Sequence, residues 1–264
     1  MATDASATLD AEPFWAGSPQ RPLYAALHGV AAPAPLGIVL APPLLAEQPR
    51  SRRLLMQIAE ELAAKGLPCL RFDYFGTGDS AGAGTAHDVA AMHTDFDTVV
   101  AALRERAGVA RVAVIAWRGA ALVAADWSAR DGNIDALVLW EPVTDGAAWL
   151  AELEAGDRAE RTLRARRAPD IAADGQLFGF PASSSWRRGI AALALDTREV
   201  RKPVWTVQRQ AAGAPPAGSS RCFMLPAGTP HFDGATTMDA TLFLSRPLRV
   251  LVDELANALT SAAP

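Results

Sequence analysis

Short, nearly continuous apolar runs recur along this chain from about residue 36 onward. They are Ile38 to Ala41 in LGIVLAPPLL, Pro68 to Phe72, Val112 to Trp117, Ile134 to Trp140, Pro203 to Val207 and Cys222 to Leu225. Runs of this length, bounded by Gly, Pro and polar residues, predict strands buried on both faces. Between them the spacing changes to three and four. Arg50 to Lys65 places Leu54, Leu55, Ile58 and Leu62 on one face and stops at Gly66, and His87 to Arg106 does the same with Val89, Met92, Phe96, Val99, Val100 and Leu103. These are amphipathic helices, and helices between buried strands imply crossovers in a parallel sheet. Phe14-Trp15 and Leu23 to His28 predict an antiparallel hairpin at one sheet edge, and a last helix runs from about Leu244 to Leu259. The fold class expected is therefore α/β, with a mostly parallel central sheet flanked by helices.

The pattern changes between about 144 and 196. Trp149 to Arg167 is a charged helical stretch, Gly175 to Phe180 reads as a strand, and Ser183 to Trp186 as a turn. We read this segment as a small cap inserted into a single domain covering residues 13–264, behind a disordered tail at 1–12. The tail lacks the basic start and apolar run of a signal peptide, and no apolar run reaches the roughly 20 residues of a membrane span, so a cytoplasmic protein is expected.

Composition narrows the function classes. Half of the 264 residues are apolar, a fifth are charged, and the net charge is -4, which provides no basic field for nucleic acid. Cys69 and Cys222, the two cysteines, lie in predicted strands outside any metal-ligand or redox spacing. They read as buried free thiols, and no metal or cofactor is called for.

The stretch VAVIAWRGAALV, Val112 to Val123, joins an apolar strand to an Ala-rich helix through a tight Trp-Arg-Gly turn. A buried strand feeding a buried helix would look the same. The stretch nonetheless resembles the nucleophile elbow of α/β-hydrolases, written G-x-S-x-G because small neighbours let a strained turn expose the serine. Here Ala116-Trp117-Arg118-Gly119-Ala120 puts arginine in the serine position. Some 40 residues earlier, Asp73 to Ser80 (DYFGTGDS) follows a strand as D-x-x-G-x-G-x-S and looks like the corresponding loop of that superfamily. Asp73 is expected to brace the loop, with a catalytic acid as its alternative, and His87 and His93 read as solvated helix positions.

The superfamily order of nucleophile, acid and histidine can be tested slot by slot. Arg118 stays protonated and has no usable lone pair, so it can neither attack a carbonyl nor accept a proton. The loop after Pro203 to Val207 reads QRQAAG, with no carboxylate in the acid slot, whereas His231 falls in the histidine slot. Glu141, at the end of the neighbouring strand, is the alternative acid. We expect Arg118 and Glu141 to meet as a bidentate ion pair with His231 nearby. A solvated Glu141 and a plain loop His231 are the bland alternative. Pro42-Pro43 weaken the usual oxyanion donor and leave Leu44 to supply it, while Trp117, Arg118 and Gly119 at a helix N-terminus could bind an anion. Ser51, Ser80 and Ser183 to Ser185 lie on no elbow.

More narrowly, the Arg50 to Arg53 run, the DYFGTGDSAG loop, an elbow with Arg before Gly, LWEPV and QLFGFPAS together resemble exosortase A system-associated hydrolases of type 2. That resemblance implies a hydrolase named by fold, linked to exopolysaccharide and protein-sorting loci, in which the elbow arginine is a family trait. Two functions follow. One is a catalytically silent homologue that binds a small anionic or acyl ligand, or a protein partner, beneath the cap. The other is an active esterase or thioesterase in which His231 and Glu141 activate water.

Overall fold

A computed structural model describes residues 11–29, 34–130, 132–164, 175–232 and 241–261. The strands β1 (Glu12–Ala16), β2 (Leu23–His28), β3 (Gly37–Ala41), β4 (Cys69–Phe72), β5 (Val112–Trp117), β6 (Ala136–Trp140), β9 (Val204–Gln208) and β10 (Arg221–Met224) form one sheet. Its order is β1-β2-β4-β3-β5-β6-β9-β10, and all pairs are parallel from β4 to β10. β1 and β2 are the antiparallel hairpin at one edge. Between β6 and β9 lie β7 (Gln176–Leu177) and β8 (Phe180–Pro181), a separate small hairpin.

The helices are α1 (Glu47–Ala64), α2 (Val89–Ala107), α3 (Gly119–Arg130), α4 (Gly146–Arg164), α5 (Ser184–Ala191) and α6 (Arg246–Ser261). Alternation along the strands sorts their side chains between two cores. From β5, Val112, Val114 and Ala116 join the core that includes residues of α2 and α3, while Ala113, Ile115 and Trp117 join the one that includes residues of α1 and α6. The strands β3, β5 and β6 are buried along their whole length, which is why they read as unbroken apolar runs.

Several boundaries depart from the sequence expectation for local reasons. α1 begins at Glu47, three residues early, and takes Pro49 into its first turn, where a missing N–H costs nothing. The serines at 183–185 start a helix instead of making a turn: Ser183 Oγ accepts from Trp186 N at 3.1 Å, and Trp186 and Ile190 are buried one turn apart. Cys69 is buried as expected, but Cys222 is exposed, because β10 is an edge strand with one buried position. His87 is not a solvated helix residue. It precedes α2 and is buried, with Asp88 capping the helix by accepting from Ala91 N at 2.9 Å. Residues 1–10 of the expected tail and 165–174 of the cap lie outside the described residues.

The segment between β6 and β9 docks on the start of α2. Ser185 Oγ donates to Asp88 Oδ2 at 2.8 Å, and Gly189 lies so close to Val89 that a Cβ there would approach its side chain to 2.8 Å.

Candidate functional site

Three parallel strands, β3, β5 and β6, are each followed at their C-terminal ends by a non-glycine residue in the left-handed region: Leu45 (φ 54°), Arg118 (φ 53°) and Glu141 (φ 45°). Such backbone is unfavourable for residues with a Cβ and persists where surrounding bonds over-determine it. At Arg118 the N–H donates to Trp140 O at 3.0 Å, and its carbonyl accepts from Ala121 N at 3.1 Å and Val143 N at 3.3 Å. The Glu141 N–H donates to Val207 O at 2.7 Å. The turn between β5 and α3 is thus a strained strand-to-helix elbow with arginine at its apex.

The guanidinium of Arg118 reaches a different carboxylate from the one the sequence indicated. Its Nε lies 3.3 Å from Glu47 Oε1 at the start of α1, and Nη1 donates to the backbone carbonyl of Glu141 at 3.4 Å. The Glu141 carboxylate pairs instead with Arg209, whose Nε lies 2.5 Å from Oε1 and Nη2 3.5 Å from Oε2. The expected Arg118 to Glu141 side-chain pair is therefore replaced by two pairs, Arg118 with Glu47 and Glu141 with Arg209. Glu141 and Arg209 follow the neighbouring parallel strands β6 and β9, so the carboxylate meets that guanidinium while the Glu141 carbonyl accepts from Arg118. Both pairs are mostly buried, with side-chain exposures of 16% and 9% for the first and 19% and 9% for the second.

Arg209 also fixes the histidine loop. Its Nη1 donates to Thr229 O at 2.7 Å and its Nη2 to Pro230 O at 2.8 Å, while Arg50 Nη1 donates to Phe232 O. Three carbonyls flanking His231 are held by two arginines. The histidine itself is exposed and lines a cleft of about 380 Å³ together with Arg118, Glu141, Pro142, Thr144 and Arg209.

Trp117 and Gly119 flank Arg118 in the chain, and Leu44 lies just before α1. Trp117 is fully buried and stacks on Trp140, with centroids 5.4 Å apart and ring planes at 27°. Leu44 is buried, and its carbonyl accepts from Glu47 N at 3.2 Å. Gly119 lies directly beneath Trp149 of α4, where a Cβ would fall 2.2 Å from the indole. None of the three lines the cleft. Glu47 and Arg209 were the residues missed. Arg209 had a readable signal, since it stands in the slot that should hold an acid and opposes a glutamate at the next strand end.

Asp73 braces its loop, accepting from Gln48 Nε2 at 3.1 Å, Arg52 Nη2 at 2.9 Å and Asp79 N at 3.0 Å. Among the described residues, no group of three His, Cys, Asp or Glu side chains is placed to hold a metal, and no helix is long and apolar enough to cross a membrane. Chemically the cleft offers two guanidinium groups, a carboxylate gripped by one of them and an imidazole. Each guanidinium is paired with a carboxylate, Arg118 with Glu47 and Arg209 with Glu141, and neither has a lone pair with which to attack a carbonyl.

The fold is shared with solved hydrolase structures over nearly their full length. The α/β-hydrolase GrgF from Penicillium sp. sh18 is 15% identical, with a TM-score of 0.65, covering 97% of this chain and 99% of that one. Est1E from Butyrivibrio proteoclasticus, with ferulic acid bound, is 18% identical (TM-score 0.61; 94% and 98% covered). A proline iminopeptidase from Mycobacterium smegmatis is 13% identical (TM-score 0.59; 96% and 100% covered). No curated protein matches the sequence. The family model of serine aminopeptidase, S33, matches residues 50–205, which include the elbow and the Glu141 strand end and stop before Arg209 and the histidine loop. With more than half of its length matched by that model, and with the sheet and elbow described above, the chain belongs to the serine aminopeptidase S33 family of the α/β-hydrolase superfamily.

Proposed function

We propose that this protein is a catalytically silent member of its family that binds a small anionic or acyl ligand at Arg118. The observation that carries this reading is the elbow itself. The strained turn is retained, yet it presents a guanidinium, with no lone pair for attack, into a cleft also lined by Arg209 and His231. A ligand carboxylate would share Arg118 with Glu47, as bidentate guanidinium recognition allows. The arginine-bearing elbow, the LWEPV strand end and the QLFGFPAS cap segment also support a place among the exosortase A system-associated hydrolases of type 2.

A second reading, hydrolysis by water activated at His231 with Glu141, draws support from their positions on one cleft. It is the weaker of the two, because both Glu141 oxygens are taken by Arg209. Two measurements separate the readings. Titration calorimetry with butyrate and with inorganic phosphate should give heats that vanish in Arg118→Ala; equal heats in both proteins would remove the anchoring role. Fluorophosphonate labelling and a panel of p-nitrophenyl acyl esters should show neither covalent labelling nor turnover. Turnover abolished by His231→Ala would establish the second reading.

A further inference from the structure

A second cleft, of about 310 Å³, shares no lining residue with the one at Arg118. It lies between Leu45 and the first turn of α1 (Gln48, Pro49), the glycine-rich loop after β4, His87, and the hairpin at Phe180 and Pro181. The hairpin seats directly on the turn before His87: a Cβ on Gly84 would fall 2.3 Å from the Pro181 ring.

His87 is the unusual group here. It is 4% exposed, tilts against the Tyr74 ring at 5.6 Å between centroids, and its Nδ1 is buried with no hydrogen-bond partner among the described residues. Burial lowers its pKa to about 4, outweighing the opposing effects of Asp88 and of a hydrogen bond to the Phe75 backbone. At neutral pH it is an uncharged imidazole, one nitrogen a donor and the other an acceptor. An unsatisfied buried nitrogen carries a desolvation penalty that a correctly placed ligand group removes.

The other polar side chains of the cleft are mostly paired. Gln48 donates its amide to Asp73, and to Thr77 Oγ1 at 3.5 Å, which leaves its carboxamide oxygen accepting no hydrogen bond among the described residues. Arg52 lies 2.9 Å from Asp73 and 3.9 Å from Asp79, so two carboxylates offset its charge. The walls at Leu45, Pro49, Phe180 and Pro181 are apolar. A neutral imidazole between apolar walls matches a hydroxyl on a ring better than an anion, because the two carboxylates at Arg52 outnumber its single positive charge.

We propose that this second cleft binds a small uncharged aromatic or cyclic alcohol, its ring between the cap hairpin and α1 and its hydroxyl hydrogen-bonded to His87. The site is separate from Arg118 and independent of the function proposed there.

Phenol is the probe, with benzoate and benzene as the charged and hydroxyl-free controls. In the unaltered protein, titration with phenol should shift the imidazole NMR signals of His87 and leave those of His231 in place. By calorimetry, phenol should bind at least tenfold more tightly than either control. His87→Leu, checked for folding by its melting curve, should weaken phenol about tenfold, whereas Arg118→Ala should leave phenol affinity unchanged. The proposal is overturned if phenol does not bind, if benzoate binds as tightly, if the His231 signals move in place of those of His87, or if a folded His87→Leu protein keeps wild-type affinity.

Discussion

A guanidinium and an imidazole impose different demands on their surroundings, and the cleft at Arg118 meets both. Arg209 is the residue on which most depends, because it neutralises Glu141 and at the same time holds the carbonyls of Thr229 and Pro230 beside His231. Removing one partner of a buried ion pair leaves the other charge unmatched, at a cost of about 3 to 5 kcal/mol. Arg209→Ala should therefore lose about 3 kcal/mol in urea unfolding and raise amide exchange at His231 and Phe232. Glu141→Gln combined with Arg209→Met should regain much of the stability but not the loop protection, since the bonds to Thr229 and Pro230 remain absent. If Arg209→Ala unfolds at the wild-type midpoint, the pair contributes nothing and the loop is held by other contacts.

At the scale of elements, the contact between α4 and the elbow matters most. α4 lays Trp149 on Gly119, the first residue of α3, and Gly146 at the other end of its first turn approaches the Ile190 carbonyl of α5 so closely that a Cβ would meet it at 1.9 Å. These approaches explain two glycines that helix propensity alone would disfavour. Gly119→Ala would gain a little propensity but drive a methyl into the indole, and overpacking of this kind costs about 1 to 3 kcal/mol. We expect a lower melting temperature for Gly119→Ala and partial recovery in Gly119→Ala with Trp149→Phe. A melting temperature at or above that of wild type would show that α4 moves aside without penalty.

For the molecule as a whole, buried titratable groups set the response to acid. Burial lowers the pKa of His28 to about 4, with Arg71 adding to the effect, and that of His87 to about 4. Both have ordinary values of 6.5, so below about pH 6.5 the unfolded chain takes up protons that the folded one refuses. Their contribution is neutral above pH 6.5 and becomes a growing loss as pH falls toward 4. Asp95 works in the other direction. Burial raises it to about 6 despite Arg21 at 2.6 Å, so between pH 6 and its ordinary 3.8 the folded state holds the extra proton and gains stability. Two histidines outweigh one aspartate, and the urea midpoint should be lower at pH 5 than at pH 7.5. His87→Leu should reduce that difference. A midpoint that rises on acidification would show Asp95 dominating.

By itself the sequence determined the layers and most of the order of elements. Buried parallel strands must be apolar throughout, and flanking helices must carry one apolar stripe, so both periods are written into residues 38–140 before any folding. It also placed arginine at the elbow and showed that the following loop lacked a carboxylate, because the turn signal and the residue types are local. Only the tertiary structure decided the pairing of charges. Arg118 meets Glu47 across 71 positions and Glu141 meets Arg209 across 68, contacts that depend on which strands and helices are neighbours. The burial of His87 was equally hidden: its helix spacing says nothing of a neighbouring loop or of a cap hairpin contributed some 90 residues later in the chain. Periodicity reports the environment a residue shares with its own element, whereas partners come from elements that converge only after the sheet is assembled.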